Sequence, residues 1–175
     1  MADNADNTQP EAAAPAGDAQ QPQGPQFAIQ RIYLKDSSFE SPRSPAVFQS
    51  AWSPRINFDI KSRSDKLTDG VYEVVLVLTA EAQLDEKPAF VVEVHQAGIF
   101  TAKDFDSAQL EQILATVCPN ILFPYARETI DTLVVKGSFP ALMLAPINFD
   151  VLYAQQKQAE QAKANNSQSP ANTAG

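Results

Sequence analysis

Cysteine, histidine and tryptophan occur once each in the 175 residues. A lone Cys118 cannot close an internal disulfide. With His95 as the one imidazole, the chain also lacks the ligands of a Cys/His zinc site. The six glycines are scattered, three of them near the chain ends, so no glycine-rich phosphate loop is present. The first 26 residues contain no lysine or arginine and no apolar run, so they do not read as a secretory leader. The longest apolar stretches, 74–78 and 141–147, fall far short of the roughly 20 residues that a membrane helix needs. These absences predict a cytoplasmic protein with no direct membrane insertion and no metal or cofactor.

Positive charge is also scarce. The net charge is −8: the four carboxylates of residues 1–26 stand unopposed, residues 27–153 carry −5, and the C-terminal residues are slightly basic. Such a surface repels phosphate backbones, which excludes nucleic acid as a partner and favours a basic protein surface. Residues 1–26 are mostly Ala, Gln, Asn, Asp, Gly and Pro. They read as a disordered acidic tail, because so polar a segment buries too little to offset its ordering entropy. The globular part is 27–153. Residues 154–175 read as a polar tail, the end of a last helix followed by disorder.

Within the body, four segments have strand character. Residues 26–38 are rich in aromatic and β-branched side chains, and 56–61 alternate cleanly. In 71–83, Tyr72, Val74, Leu76, Leu78, Ala80 and Ala82 share one face. In 89–96, Phe90, Val92 and Val94 oppose Glu93 and His95. Asp69-Gly70 and the loop Asp85-Glu86-Lys87-Pro88 carry turn chemistry, so the second, third and fourth strands are expected to pair antiparallel in succession. Residues 40–54, with Pro42, Pro45 and Pro54, disfavour helix and central strand and read as a long crossover. Helical spacing then appears at Leu110, Ile113, Leu114 and Val117. Pro119 is expected to interrupt it and Asn120 to cap a second helix containing Pro124, with Gly137 as its C′ residue. Asn148 caps a last helix bearing Phe149, Leu152 and Tyr153. Strands followed by helices indicate α+β.

Catalytic chemistry finds little support. His95 has no nucleophile or orienting carboxylate in a recognisable motif and reads as a surface or edge histidine. Cys118 reads as a small buried hydrophobe. Acidic pairs such as Asp104/Asp106 and Asp85/Glu86 fit loops and helix starts. Two features ask for more. Asp36 and Glu40 share a parity at the end of the first strand, and Glu93 stands mid-strand in the fourth. Apolar residues outside regular elements, among them Phe48, Trp52, Phe139 and Met143, would either complete a small core or line an exposed groove.

Several runs carry a family resemblance. They are Ile29-Gln30-Arg31-Ile32-Tyr33 with Lys35-Asp36 and Ser38-Phe39-Glu40, then Val47-Phe48-Gln49 with Trp52, Val71-Tyr72-Glu73-Val74-Val75-Leu76, and Gly98-Ile99-Phe100. The most specific is Cys118-Pro119-Asn120-Ile121-Leu122-Phe123-Pro124-Tyr125-Ala126-Arg127-Glu128, followed by Phe139-Pro140, Leu144-Ala145-Pro146 and Asn148-Phe149-Asp150. Over 27–153 the chain resembles SecB, the bacterial protein-export chaperone. The resemblance implies a four-stranded antiparallel sheet with a long crossover and helices packed on one face. It further implies a homotetramer, a dimer of dimers, without enzymatic activity or nucleotide. Its partners would be unfolded precursor proteins, kept translocation-competent and delivered to the SecA ATPase. By the resemblance, SecA docking falls on Asp36, Glu40 and Glu93 with Val91 beside them. Client binding falls on Trp52, Ile56, Phe58, Ile60, Phe149, Leu152 and Tyr153. A chaperone dedicated to one partner would use the same groove. The acidic N-terminal extension is longer than the resemblance leads one to expect, and the C-terminal tail lacks acidic clusters.

Overall fold

The computed structural model describes residues 24–167, the last four by backbone alone. Most of the 1–26 tail and residues 168–175 lie outside the described residues. Four strands, β1 (Gln26–Glu40), β2 (Arg55–Thr68), β3 (Val71–Leu84) and β4 (Lys87–Lys103), form one antiparallel sheet in the order β1-β4-β3-β2. Gln26 opposes Lys103 at the end of the β1–β4 pair. The β3–β4 hairpin turns on Asp85 and Glu86, at φ 52° and 58°. Positive φ at both central residues gives the two-residue turn whose twist matches its flanking strands. Gly70, at φ 66°, serves the β2–β3 turn.

The strands run longer than their alternation suggested, β2 continuing to Thr68 and β4 to Lys103. After β1 the chain crosses over to the far edge. The crossover contains one 3-10 turn, Ala46–Gln49, despite its prolines. It is tied down by Arg43 donating to the Leu84 carbonyl at 2.8 Å and by Ser41 donating to the Ala89 carbonyl at 3.1 Å.

The expected break at Pro119 does not occur. Helix α1 (Ser107–Gln112) runs through a π-turn (Ile113–Val117) into α2 (Cys118–Lys136). The start is a capping box: Asp106 accepts from the Gln109 amide at 2.8 Å, and the Gln109 side chain accepts from the Asp106 amide. Cys118 donates its amide to Ile113, five residues back. This wider turn lies where the Pro119 ring would otherwise crowd the preceding carbonyls. Asn120 is therefore inside a helix rather than capping one. The π-turn also rotates Val117 outward, so the buried stripe is Leu114, Cys118, Leu122, Ala126, Ile130 and Val134. The helix ends in a Schellman closure, with Phe139 donating to Val134 and Ser138 to Val135. Ser138, at φ 65°, takes the left-handed place expected of Gly137. Gly137 is needed for another reason, because a Cβ there would strike the ring of Phe39.

The buried stripe packs on the inner sheet face, against Val74, Leu76, Leu78, Phe90, Val92, Val94 and Phe100. Gly98 sits beneath it, where an added Cβ would lie 2.7 Å from Phe100 and 3.1 Å from Leu122. An apolar connector leads to α3 (Phe149–Ser167), which Asn148 caps by accepting from the Val151 amide at 3.1 Å. Much of the polar 154–175 segment is therefore helical. The fold is α+β with helices on one side, and the other side of the sheet is left open.

Cys118 is fully buried, and burial pushes its thiol up to about 12. In the folded protein a maleimide is expected to label it roughly a hundredfold or more slower than a free thiol, since the thiolate is the reactive form. Mass spectrometry of timed labelling with and without urea checks this. Rapid native labelling would contradict the packing.

Candidate functional site

Strand register decides which side chains share the open face. Asp36 lies opposite His95, Ser38 opposite Glu93 and Glu40 opposite Val91. Across β4, His95 faces Val77, Glu93 faces Thr79 and Val91 faces Glu81. Beyond β3 follow Lys61, Asp59 and Asn57. Asp36, Glu40, Val91 and Glu93 therefore form one patch, widened by Glu81 and Asp59. A bulge-like slip between Leu34 and Asp36 makes this possible, since it returns Asp36 to the outer face.

Glu93 is held on both oxygens. His95 Nε2 lies 2.8 Å from Oε1, and Thr79 Oγ1 donates to Oε2 at 2.9 Å. These hydrogen bonds, His95 first, hold the Glu93 carboxyl below the usual carboxylate range. Further along the same face, Lys35 Nζ reaches Glu73 at 2.7 Å, and Tyr33 donates to the same carboxylate. Lys35 first and Tyr33 second hold the Glu73 carboxyl low, while Glu73 raises the Tyr33 phenol. A depressed carboxyl stabilises the fold above its unfolded pKa and loses that contribution as pH falls through the lowered value. Sequence reasoning placed His95 beside Glu93 but missed that it anchors the carboxylate.

The inner face offers a different surface. Helix α2 covers β3 and β4 but leaves edge strand β2 bare, so Ile56 and Phe58 are 40% and 36% exposed. Between β2, α1 and α3 lies a cleft of about 450 Å³ lined by Ile60, Leu110, Leu114, Phe149, Leu152 and Tyr153. Its rim is polar, with Lys157 of α3 paired to Glu111 of α1. Leu110 and Leu114 were visible as apolar helix positions, but their place in the cleft was not. Trp52 stands apart, its ring 5.2 Å from Phe139 and 6.2 Å from Phe90. Phe149 lines the cleft but is 5% exposed, its ring edge-on to Phe123 at 6.0 Å, so it also packs in the core. The structure brings Ile60, Phe149, Leu152 and Tyr153 together, with Ile56 and Phe58 continuing along β2. Trp52 joins the crossover's aromatic cluster instead.

Among the described residues no group of three or more His, Cys, Asp or Glu is placed to hold a metal, and no helix is long and apolar enough to cross a membrane. A family model described as "Preprotein translocase subunit SecB" matches residues 20–160. The chain belongs to the SecB family. A SecB relative from Hahella chejuensis, named "Protein-export protein SecB", is 59% identical over 145 residues, covering 83% of this chain and 91% of that protein. The SecB of Marinobacter nauticus, named likewise, is 55% identical over 149 residues, covering 85% and 90%. Among solved structures, a SecB-like chaperone of Mycobacterium tuberculosis, in complex with a peptide from the HigA1 antitoxin, aligns with a TM-score of 0.53. It is 20% identical and covers 70% of this chain and 88% of its own, a likeness of fold.

Proposed function

We propose that the protein is a non-enzymatic holdase for protein export, working in the cytoplasm as a homotetramer, a dimer of dimers. It holds unfolded precursor proteins on its apolar surface and delivers them to SecA through its acidic sheet face. The observation that carries this reading is the separation of the two surfaces. Ile56, Phe58, Ile60, Leu152 and Tyr153 lie on the helix side, with Trp52 at the crossover, while Asp36, Glu40 and Glu93 lie on the open side beside Val91. A client held on one side leaves the other free for a receptor. The 59% identity to a protein-export protein supports the same reading. A subunit contact is supported by Val117, Tyr125 and Val135, large side chains of the long helix that are 40–56% exposed.

Charge at a docking rim mainly steers encounter and is sensitive to salt. The variant Asp36→Asn/Glu40→Gln/Glu93→Gln is expected to weaken SecA binding by about tenfold or more at low salt, with less difference in high salt. Titration against purified SecA checks this, and native mass spectrometry checks that the tetramer persists. Unchanged affinity at low salt would remove the acidic face from the mechanism. A monomer at micromolar concentration would remove the tetramer.

A further inference from the structure

Glu93 is an exposed-face glutamate that does not move freely. A glutamate on a sheet surface ordinarily samples many rotamers, and binding a partner's cation then costs the ordering of that side chain. Here one oxygen is engaged by His95 at 2.8 Å and the other by Thr79 at 2.9 Å. An ionised carboxylate only accepts hydrogen bonds, so His95 must present Nε2–H to it. Each carboxylate oxygen retains acceptor capacity outward, and the Glu93 side chain is 41% exposed. Thr79 belongs to β3 and His95 to β4, so the carboxylate is fastened to two strands at once.

We propose that His95 and Thr79 are positioning residues of the docking face, holding the Glu93 carboxylate in one orientation for a cationic group of the partner. This rests on the open face being the surface that meets SecA. Around the imidazole stand Glu93 on its own strand, Asp36 opposite on β1, and Val77 opposite on β3. Lys61 on β2 lies one strand further, paired with Asp59 at 2.9 Å, and nearby Lys35 is paired with Glu73. The helices pack on the other side of the sheet and bring no charge to this group.

The test titrates full-length wild type, His95→Ala, His95→Gln and Thr79→Val against purified SecA at pH 8. At pH 8, His95→Ala and Thr79→Val are expected to bind about three- to tenfold more weakly, the scale of one partly exposed charge-assisted hydrogen bond. His95→Gln, whose amide can still donate to Glu93, is expected to stay within about twofold of wild type. Recovery of binding in His95→Gln but not in His95→Ala is a result that a merely structural role would not produce. Equal melting temperatures and tetramer masses confirm that the fold is retained. If wild type binds SecA while His95→Ala and Thr79→Val bind equally well, the positioning role is overturned and the docking face stands. If wild type binds no SecA, the docking reading falls and takes this inference with it.

Discussion

Replacing Phe58 and Leu152 together by serine is expected to weaken the holding of an unfolded polypeptide by about thirtyfold, at about 1 kcal/mol of lost burial per side chain. The melting temperature should meanwhile stay within a few degrees. Phe58 projects from the bare inner face of β2 and Leu152 from α3 beside the cleft, 36% and 39% exposed respectively. A holdase cannot read one sequence. It uses what unfolded chains share, exposed apolar side chains and free backbone, which folded proteins hide. Each surface side chain adds a modest increment, and several along one client sum to tight binding after the ordering cost is subtracted. The measurement is the affinity for a reduced, unfoldable polypeptide, set beside thermal unfolding of the same variant. If binding holds, clients sit elsewhere. If the variant melts far below wild type, these residues are structural and the surface is misassigned.

Phe149→Ala is expected to behave in the opposite way, lowering stability by about 3–5 kcal/mol, the usual cost of truncating a buried phenylalanine. For a domain of this size that is roughly a 10 °C fall in melting temperature. Phe149 is the first residue of α3, next to the Asn148 cap, and its ring packs edge-on against Phe123. Removing it opens a cavity between α2 and α3 and loosens the wall of the cleft, so client binding should fall as a consequence of lost structure. Differential scanning calorimetry with circular dichroism checks the ordering of the two effects. A variant that lost client binding at unchanged melting temperature would make Phe149 a binding residue in its own right.

The strand half of the fold was largely legible in the residues. Alternation at Tyr72, Val74, Leu76, Leu78, Ala80 and Ala82 marks a strand with one apolar face because side chains alternate across a sheet. Asp85-Glu86 and Gly70 marked the turns, and the prolines of 40–54 marked the crossover. The helical half was less legible. Pro119 carries the local signature of a helix boundary, yet a π-turn accommodates it, and that adjustment turns Val117 to the surface. Gly137 looked like a left-handed cap, but Ser138 takes that conformation, and the glycine answers instead to the ring of Phe39 nearly a hundred residues earlier.

By itself the sequence determined the α+β class, the acidic surface, the absence of catalytic and metal-binding motifs, and the run of motifs that carries the SecB resemblance. Each follows from composition or from patterns within a few residues, because turn chemistry and period-two burial are local. Only the tertiary structure decided that β1 pairs with β4, placing Asp36 opposite His95 and Glu40 opposite Val91. It also decided that β2 is the bare edge, and that Ile60, Leu110 and Leu152 meet in one cleft while Phe149 closes its wall. These depend on register between distant strands and on which face α2 covers. A one-residue slip would exchange the acidic face for the apolar one, and no window of the sequence contains both strands.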